Sequence, residues 1–164
     1  MRHTLVARVQ DEPGVLNRVA SLFRRRAFNI ESLTVGRSEA ADFSRMTVVV
    51  DTAQVPARLV EESLRKLVPV AEVQDVTELP TVDRDLALIR VRCSAAERAE
   101  VTQLADIFRG RIVDVAPDSV IVEVTGDASK VDGLVDLLRP RGLLEMVRTG
   151  KVAMLRGALP QPQN

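Results

Sequence analysis

Along this 164-residue chain the spacing of apolar residues alternates between two periods, and it does so in the same order twice. Strand faces recur every second residue and helix faces about every 3.6, so the order of periods is an order of elements. Leu5, Ala7 and Val9 alternate with Val6 and Arg8, which predicts a strand. Val15, Val19, Leu22 and Phe23 then fall on one helix face, with Arg24, Arg25 and Arg26 at the end that favours cations. Strands are expected over Phe28–Val35 and Arg45–Val50, joined across Glu39–Asp42. A helix follows with Val60, Leu64 and Leu67 on one face, and then a strand carrying Val70, Val73 and Val76.

After Leu79-Pro80-Thr81 the order repeats. Leu86–Cys93 reads as a strand, and Val101, Leu104, Ala105 and Phe108 as a helix stripe. Ile112–Val115 and Val120–Val124 are strands around Pro117-Asp118, and Val131, Leu134, Val135 and Leu138 a second stripe. Leu143–Val147 closes the unit, and Lys151–Leu155 adds a further short strand. The expected fold class is therefore α+β, two tandem ferredoxin-like βαββαβ domains, each with two helices on one face of an antiparallel sheet. The boundaries are 1–78 for the first, 79–84 for a linker, 85–157 for the second and 158–164 for a disordered tail. Apolar residues on both strand faces (Val6 with Leu5, Val49 with Val48) call for a covered second face and point to self-association.

Composition narrows the function. The 23 basic and 23 acidic side chains cancel and are interspersed, which leaves no global field for nucleic acid or an anionic membrane. Four Phe, no Trp and no Tyr offer little for base stacking. No apolar run approaches a membrane span or a signal peptide, and the cytoplasm is the expected compartment. Cys93 is the single cysteine and is expected to pack as a small hydrophobe. His3 is the single histidine, expected at the surface, and no catalytic constellation or metal set can be gathered around it. Nucleotide-phosphate glycine motifs are absent, so no cofactor is expected on this chain.

One segment has chemical content. Asp11-Glu12-Pro13-Gly14-Val15-Leu16 joins the first strand to the first helix. A helix start leaves backbone N–H groups without partners and attracts anions. Pro13 is expected to organise the helix entry, and Gly14 to let a ligand approach the backbone. The same tetrapeptide is also an ordinary turn before a helix.

These residues, extended to Val19, resemble the signature loop of ACT domains, modules that bind amino acids and regulate metabolic enzymes. The stretch from Leu22 to Gly36, including Phe28-Asn29-Ile30-Glu31-Ser32-Leu33, is similar to the acetolactate synthase small-subunit family, as is Ile107 to Val115 in the second half. The resemblance covers the chain to about Gly157. It implies a non-catalytic regulatory subunit that activates a large catalytic subunit and confers feedback inhibition by valine, leucine or isoleucine. Thiamine diphosphate, magnesium and FAD would belong to that catalytic partner. It also implies a homodimer through the ACT domains, with the effector between two of them. The effector positions are then Asp11, Gly14, Val15, Leu16, Asn29 and Ile30.

Asp11 stands where some members carry Asn, and Ala27 where Gly is usual. A positive φ at Ala27 would cost roughly 1 kcal/mol or more. Rival readings are a free-standing ACT sensor of another enzyme or transcription factor, an RNA-binding domain and a small phosphatase on the same topology. The last two need a basic aromatic face and a catalytic inventory that this sequence does not offer.

Overall fold

The computed structural model describes residues 1–157 apart from 52 and 54. The expected tail at 158–164 lies outside the described residues. Its elements run β1 (Arg2–Gln10), α1 (Val15–Arg25), β2 (Asn29–Arg37), β3 (Phe43–Asp51), α2 (Ala57–Arg65) and β4 (Val70–Asp75). They continue as β5 (Thr81–Arg92), α3 (Arg98–Ile107), β6 (Arg111–Val115), β7 (Ser119–Gly126), α4 (Ala128–Leu138), β8 (Leu143–Arg148) and β9 (Val152–Leu155). The first sheet has the order β2-β3-β1-β4, and the second β6-β7-β5-β8 with β9 also paired to β5. All registered pairs are antiparallel. This is the expected pair of ferredoxin-like βαββαβ folds.

Each unit has its own core. In the first, Leu5, Ala7 and Val9 of β1 are buried with Val15, Val19, Leu22 and Phe23 of α1, Met46, Val48 and Val50 of β3, and Val60 and Leu64 of α2. In the second, Ala87, Ile89 and Val91 of β5 do the same with Val101 and Ala105 of α3, Val120, Val122 and Val124 of β7, and Val131, Leu134, Val135 and Leu138 of α4. The periodic residues read from the sequence are these core residues. Burying one such side chain stabilises by about 1.5–3 kcal/mol, so each stripe fixes its helix on its sheet. The Cys93 thiol is buried too, and burial pushes its pKa up.

The two units share irregularities as well as regular elements. In each, the first strand shifts register against the fourth, between Arg8 and Val9 and between Arg90 and Val91. In each, the second strand carries a bulge near its start, between Ile30 and Ser32 and between Ile112 and Asp114. The ends of α1 and α3 match bond for bond. Phe28 N–H donates to Phe23 O (3.0 Å) and Ala27 N–H to Arg24 O (3.2 Å); Gly110 N–H donates to Ala105 O (2.8 Å) and Arg109 N–H to Asp106 O (2.9 Å). This is the Schellman pattern, which needs one left-handed residue just past the helix. Ala27 fills it at φ 54° and Arg109 at φ 53°. In the first unit the Phe23 and Phe28 rings meet edge to face with centroids 5.6 Å apart, so the helix end is also locked by core packing. In the second, a Cβ on Gly110 would come within 2.8 Å of Glu123 O, which ties the glycine there to close approach.

Several boundaries differ from the sequence reading. The stretch expected as a linker at 79–84 is already strand from Thr81, because β5 begins before the apolar alternation that starts at Leu86. Tertiary contacts divide the chain into 1–82 with the residues from 150 onward, and 83–149. Residues 150–157, expected in the second domain, thus group with the first. Arg156 N–H donates to Pro80 O (2.8 Å) and its Nε to Thr81 O (3.0 Å), while an Arg45 guanidinium N–H donates to Ala153 O (3.1 Å). Thr47 and Val49, on the face of β3 away from the helices, are buried within the chain itself.

His3 is also placed differently from the expected surface position. Its Nδ1 lies 2.7 Å from Asp75 Oδ2, and it joins the start of β1 to the end of β4. Burial raises the Asp75 pKa, but hydrogen bonds from Thr77 and His3 outweigh it and hold the carboxyl below its ordinary value.

The left-handed residues generate a prediction. A non-glycine residue there costs about 1–2 kcal/mol, and glycine gives back about 0.4–1 kcal/mol through unfolded-chain entropy. Ala27→Gly and Arg109→Gly are each expected to raise the thermal midpoint, by roughly 1–4 °C for a chain of this size. A lowered midpoint in calorimetry would show that the turns are not strained.

Candidate functional site

The α1 start is built by a turn, not by a side-chain cap. Val15 N–H reaches Glu12 O (3.4 Å), and Gly14 has φ 88° and ψ −6°. Those angles are those of the third position of a type II turn, which takes Pro before it and Gly at it. Pro13, expected to organise the helix entry, lies one residue before the N-cap, which is Gly14. Gly14 is therefore needed for its positive φ. A Cβ there would meet nothing within 4 Å, so crowding is not the constraint.

The turn leaves donors open. Arg18 N–H closes the first helical bond on Gly14 O (3.0 Å). Among the described residues the N–H groups of Gly14, Leu16 and Asn17 have no partner, and no side chain caps the helix. The first turn holds no acid, so the positive end of the helix dipole is uncompensated there.

The corresponding junction in the second unit also lacks a side-chain cap, but it carries acids. Ser94 donates its N–H (2.9 Å) and its hydroxyl (2.7 Å) to Glu97 Oε2, and Glu100 follows in the first turn of α3. The Ser94 bonds pull the Glu97 carboxyl below its ordinary pKa, and the Arg141 guanidinium does the same to Glu100. Two carboxylates already occupy that helix start, which disfavours another anion.

Beside the open donors lies a pocket of about 400 Å³, mouth included. Val9, Val15, Val19, Val35 and Met46 give it an apolar floor, and Gln10, Asp11, Glu12, Leu16 and Ser44 line the rest. Asp11 is held in place at this pocket. Its Oδ1 accepts from Ser44 Oγ (3.2 Å), its Oδ2 lies 3.8 Å from Arg37 Nε, and its own N–H donates to Asp42 O (2.9 Å). An apolar floor, a carboxylate and a set of open N–H donors together match a zwitterion with a small aliphatic side chain.

Four of the six residues expected at the site, Asp11, Gly14, Val15 and Leu16, are brought together here. Asn29 and Ile30 are not. Asn29 pairs with Asp51 and Arg37 with Ser44, so Asn29 starts β2 at the opposite end of the sheet. Eight residues of strand place it roughly 25 Å from the loop. Conversely, Val35, Ser44 and Met46 were missed as site residues. Their signal was register: Ser44 stands opposite both Val9 and Arg37, which brings β2 and β3 to the loop.

Among the described residues no catalytic arrangement stands out. His3, Asp75 and Thr77 resemble a triad in composition, but Asp75 and Thr77 both address the same ring nitrogen, Nδ1 (2.7 and 3.4 Å). A relay needs base and orienting groups on opposite nitrogens. Among the described residues no group of three or more His, Cys, Asp or Glu could hold a metal, and no helix is long and apolar enough to cross a membrane.

Comparison with known proteins agrees with this geometry. Residues 5–72 match the family model of the AHAS small subunit-like ACT domain, and residues 84–157 that of the small subunit of acetolactate synthase. A probable acetolactate synthase small subunit of Archaeoglobus fulgidus is 52% identical over 157 residues, 96% of this chain and 98% of that one. The acetolactate synthase small subunit of Mycobacterium leprae is 46% identical over 155 residues, 94% of this chain and 92% of its own. The crystal structure of the small subunit from Thermotoga maritima superposes with a TM-score of 0.87 at 40% identity, covering 97% of this chain and 99% of that one. The open ACT-type loop, the doubled fold and these full-length likenesses place the chain in the acetolactate synthase small-subunit family.

Proposed function

We propose that the chain activates an acetolactate synthase catalytic subunit and makes it sensitive to feedback by a branched-chain amino acid. The observation that carries this reading is the open helix start of α1 over an apolar pocket. The N–H groups of Gly14, Leu16 and Asn17 take the effector carboxylate. Asp11, already oriented by Ser44, takes the ammonium, and the floor of Val9, Val35 and Met46 takes the aliphatic side chain. Thiamine diphosphate, magnesium and FAD belong, on this reading, to the catalytic partner. The free-standing sensor draws no support from any feature of the site.

The far position of Asn29 supports a site shared by two chains. β2 is an edge strand of its sheet. Antiparallel pairing of two β2 edges about a two-fold axis brings the start of one strand to the end of the other. Asn29 and Ile30 of one chain then face the Gly14 loop of its partner, which no arrangement within one chain achieves. Such pairing also satisfies the open edge of β2.

Three expectations follow from this reading. The purified chain alone should produce no acetolactate, and adding it to the catalytic subunit should raise turnover; acetolactate formation in a preparation free of catalytic chain would refute the assignment. Gly14→Asp should abolish feedback by placing a carboxylate on the open N–H groups. Because φ is +88°, any side chain there is strained, by about 1 kcal/mol or more. Gly14→Asn, which shares the strain without the charge, is the control. Unchanged effector affinity of Gly14→Asp in calorimetry would move the carboxylate site elsewhere.

The shared site further links effector binding to dimerisation. A ligand held by both chains stabilises the dimer by about RT ln(1 + [L]/Kd) per site, or ~2.7 kcal/mol at a hundredfold excess. Valine, leucine or isoleucine should lower the dimer dissociation constant in sedimentation, and Asn29→Ala should weaken that effect. A monomer that binds effector as tightly as the dimer would exclude the shared site.

A further inference from the structure

Beyond the favourable charge in the last turn of α1, the arginines of this segment make, among the described residues, no side-chain contact that serves the fold or the effector site. From Gly14 to Phe28 the chain carries Arg18, Arg24, Arg25 and Arg26 and no acidic residue. All four are exposed. Among the described residues none of them makes an ion pair or a side-chain hydrogen bond. Several other arginines are paired, Arg58 with Glu62, Arg65 with Glu61 and Arg111 with Glu123, while among the described residues Arg92, Arg109 and Arg139 stand singly; only here do three unpaired arginines follow one another. Acids are as numerous as bases overall, so the basic face of α1 is a local segregation of charge. One cation in the last turn is enough to serve the helix dipole, and Arg18 lies too far from that end to serve it at all.

We propose that this face, centred on Arg24, Arg25 and Arg26, is the surface on which the chain docks a carboxylate-rich patch of the catalytic subunit. The inference rests on the regulatory reading above. Packed like charges without counter-charge are unfavourable in the free chain, and a carboxylate surface relieves that repulsion. Guanidinium forks match carboxylates in paired hydrogen bonds. The field is local, because salt screens it within about 8 Å at physiological ionic strength and the rest of the chain adds no net charge to it. That suits contact with a shaped protein surface more than capture of a long polyanion. No exposed aromatic accompanies the arginines for stacking on bases: Phe23 and Phe28 are buried. Membrane insertion is equally unsuited, since the apolar stripe of α1 is spent in the core. The face also adjoins Asn29, so a partner seated on it reaches the end of β2 that completes the proposed effector site.

The test is binding of the full chain to the purified catalytic subunit across a range of salt. Wild type is expected to weaken as salt rises. R24Q/R25Q/R26Q should bind at least about tenfold more weakly at low salt and with a flatter salt dependence, and R24E/R25E/R26E more weakly still. The Gln variant removes charge while keeping helix-forming side chains, so it decides the matter if the Glu variant loses thermal stability. Effector affinity of the isolated chain should be unchanged in it. Wild-type affinity and salt dependence in the Gln variant would overturn the docking face and leave the regulatory reading intact. Wild type that does not bind the catalytic subunit at all would remove both. Arginine-dependent retention on a DNA duplex or on anionic phospholipid vesicles, with catalytic-subunit binding unaffected, would overturn the choice of partner.

Discussion

The packing of α1 onto β1 and β3 is the constraint from which the candidate site follows. Val15 and Val19 are pressed against Val9 and Met46 in the first core. The same four side chains form much of the pocket floor. The core restrains the helix, so its open N–H groups are held close above an apolar surface. Preorganisation of this kind reduces the ordering cost of binding a small ligand. The Pro13-Gly14 turn then sets the direction of the helix start, through a backbone conformation that residues other than glycine reach only with strain.

Much of the fold was legible because each element announces its period. Val15, Val19, Leu22 and Phe23 were read as one face and are one face, all buried. Strands β1, β3, β5 and β7 show their alternation in the same way. The limits of β5 were not legible: Thr81 to Asp85 pair as strand without an apolar alternation to mark them, because backbone hydrogen bonds extend a ladder past the residues that pack. The return of residues 150–157 to the first unit was equally hidden, since it depends on single contacts such as Arg45 to Ala153 O. At the site, the loop residues were legible because they are consecutive. Val35, Ser44 and Met46 were not, because strand register brings them there. Asn29 shows the converse: fourteen positions separate it from Val15 in sequence, yet one helix and its turn carry it to the far end of the sheet.

The two units separate structure from chemistry. They share strand order, register shifts and the bonds that end their first helices. These common features belong to the fold. Where they differ, at the strand-to-helix junction, the first unit keeps glycine and open donors while the second carries Glu97 and Glu100. The same scaffold thus starts its first helix without an acid and its third with two, so an added anion meets repulsion only in the second unit. Fold alone would have assigned both copies the same role.

A regulator needs its effector site and its partner surface to report to each other, and α1 supplies a short path. It is 11 residues long, about 16 Å at 1.5 Å per residue. Its first turn faces the pocket, and its last carries the unpaired arginines proposed to meet the catalytic subunit. A helix packed along its whole length on a rigid sheet moves as one body, so a shift that improves contacts at one end alters them at the other. Coupling is reciprocal by thermodynamic necessity: whatever factor the catalytic subunit imposes on effector affinity, the effector imposes on subunit affinity. A coupling of 1–3 kcal/mol, about 5- to 150-fold, lies within reach of a helix with charge-bearing contacts at one end and a buried zwitterion at the other. The Schellman turn at Ala27 lies between the arginines and Asn29, and its residue is held at φ 54° against its own preference. The Phe23–Phe28 contact ties that junction to the helix end, so the start of β2 moves with α1.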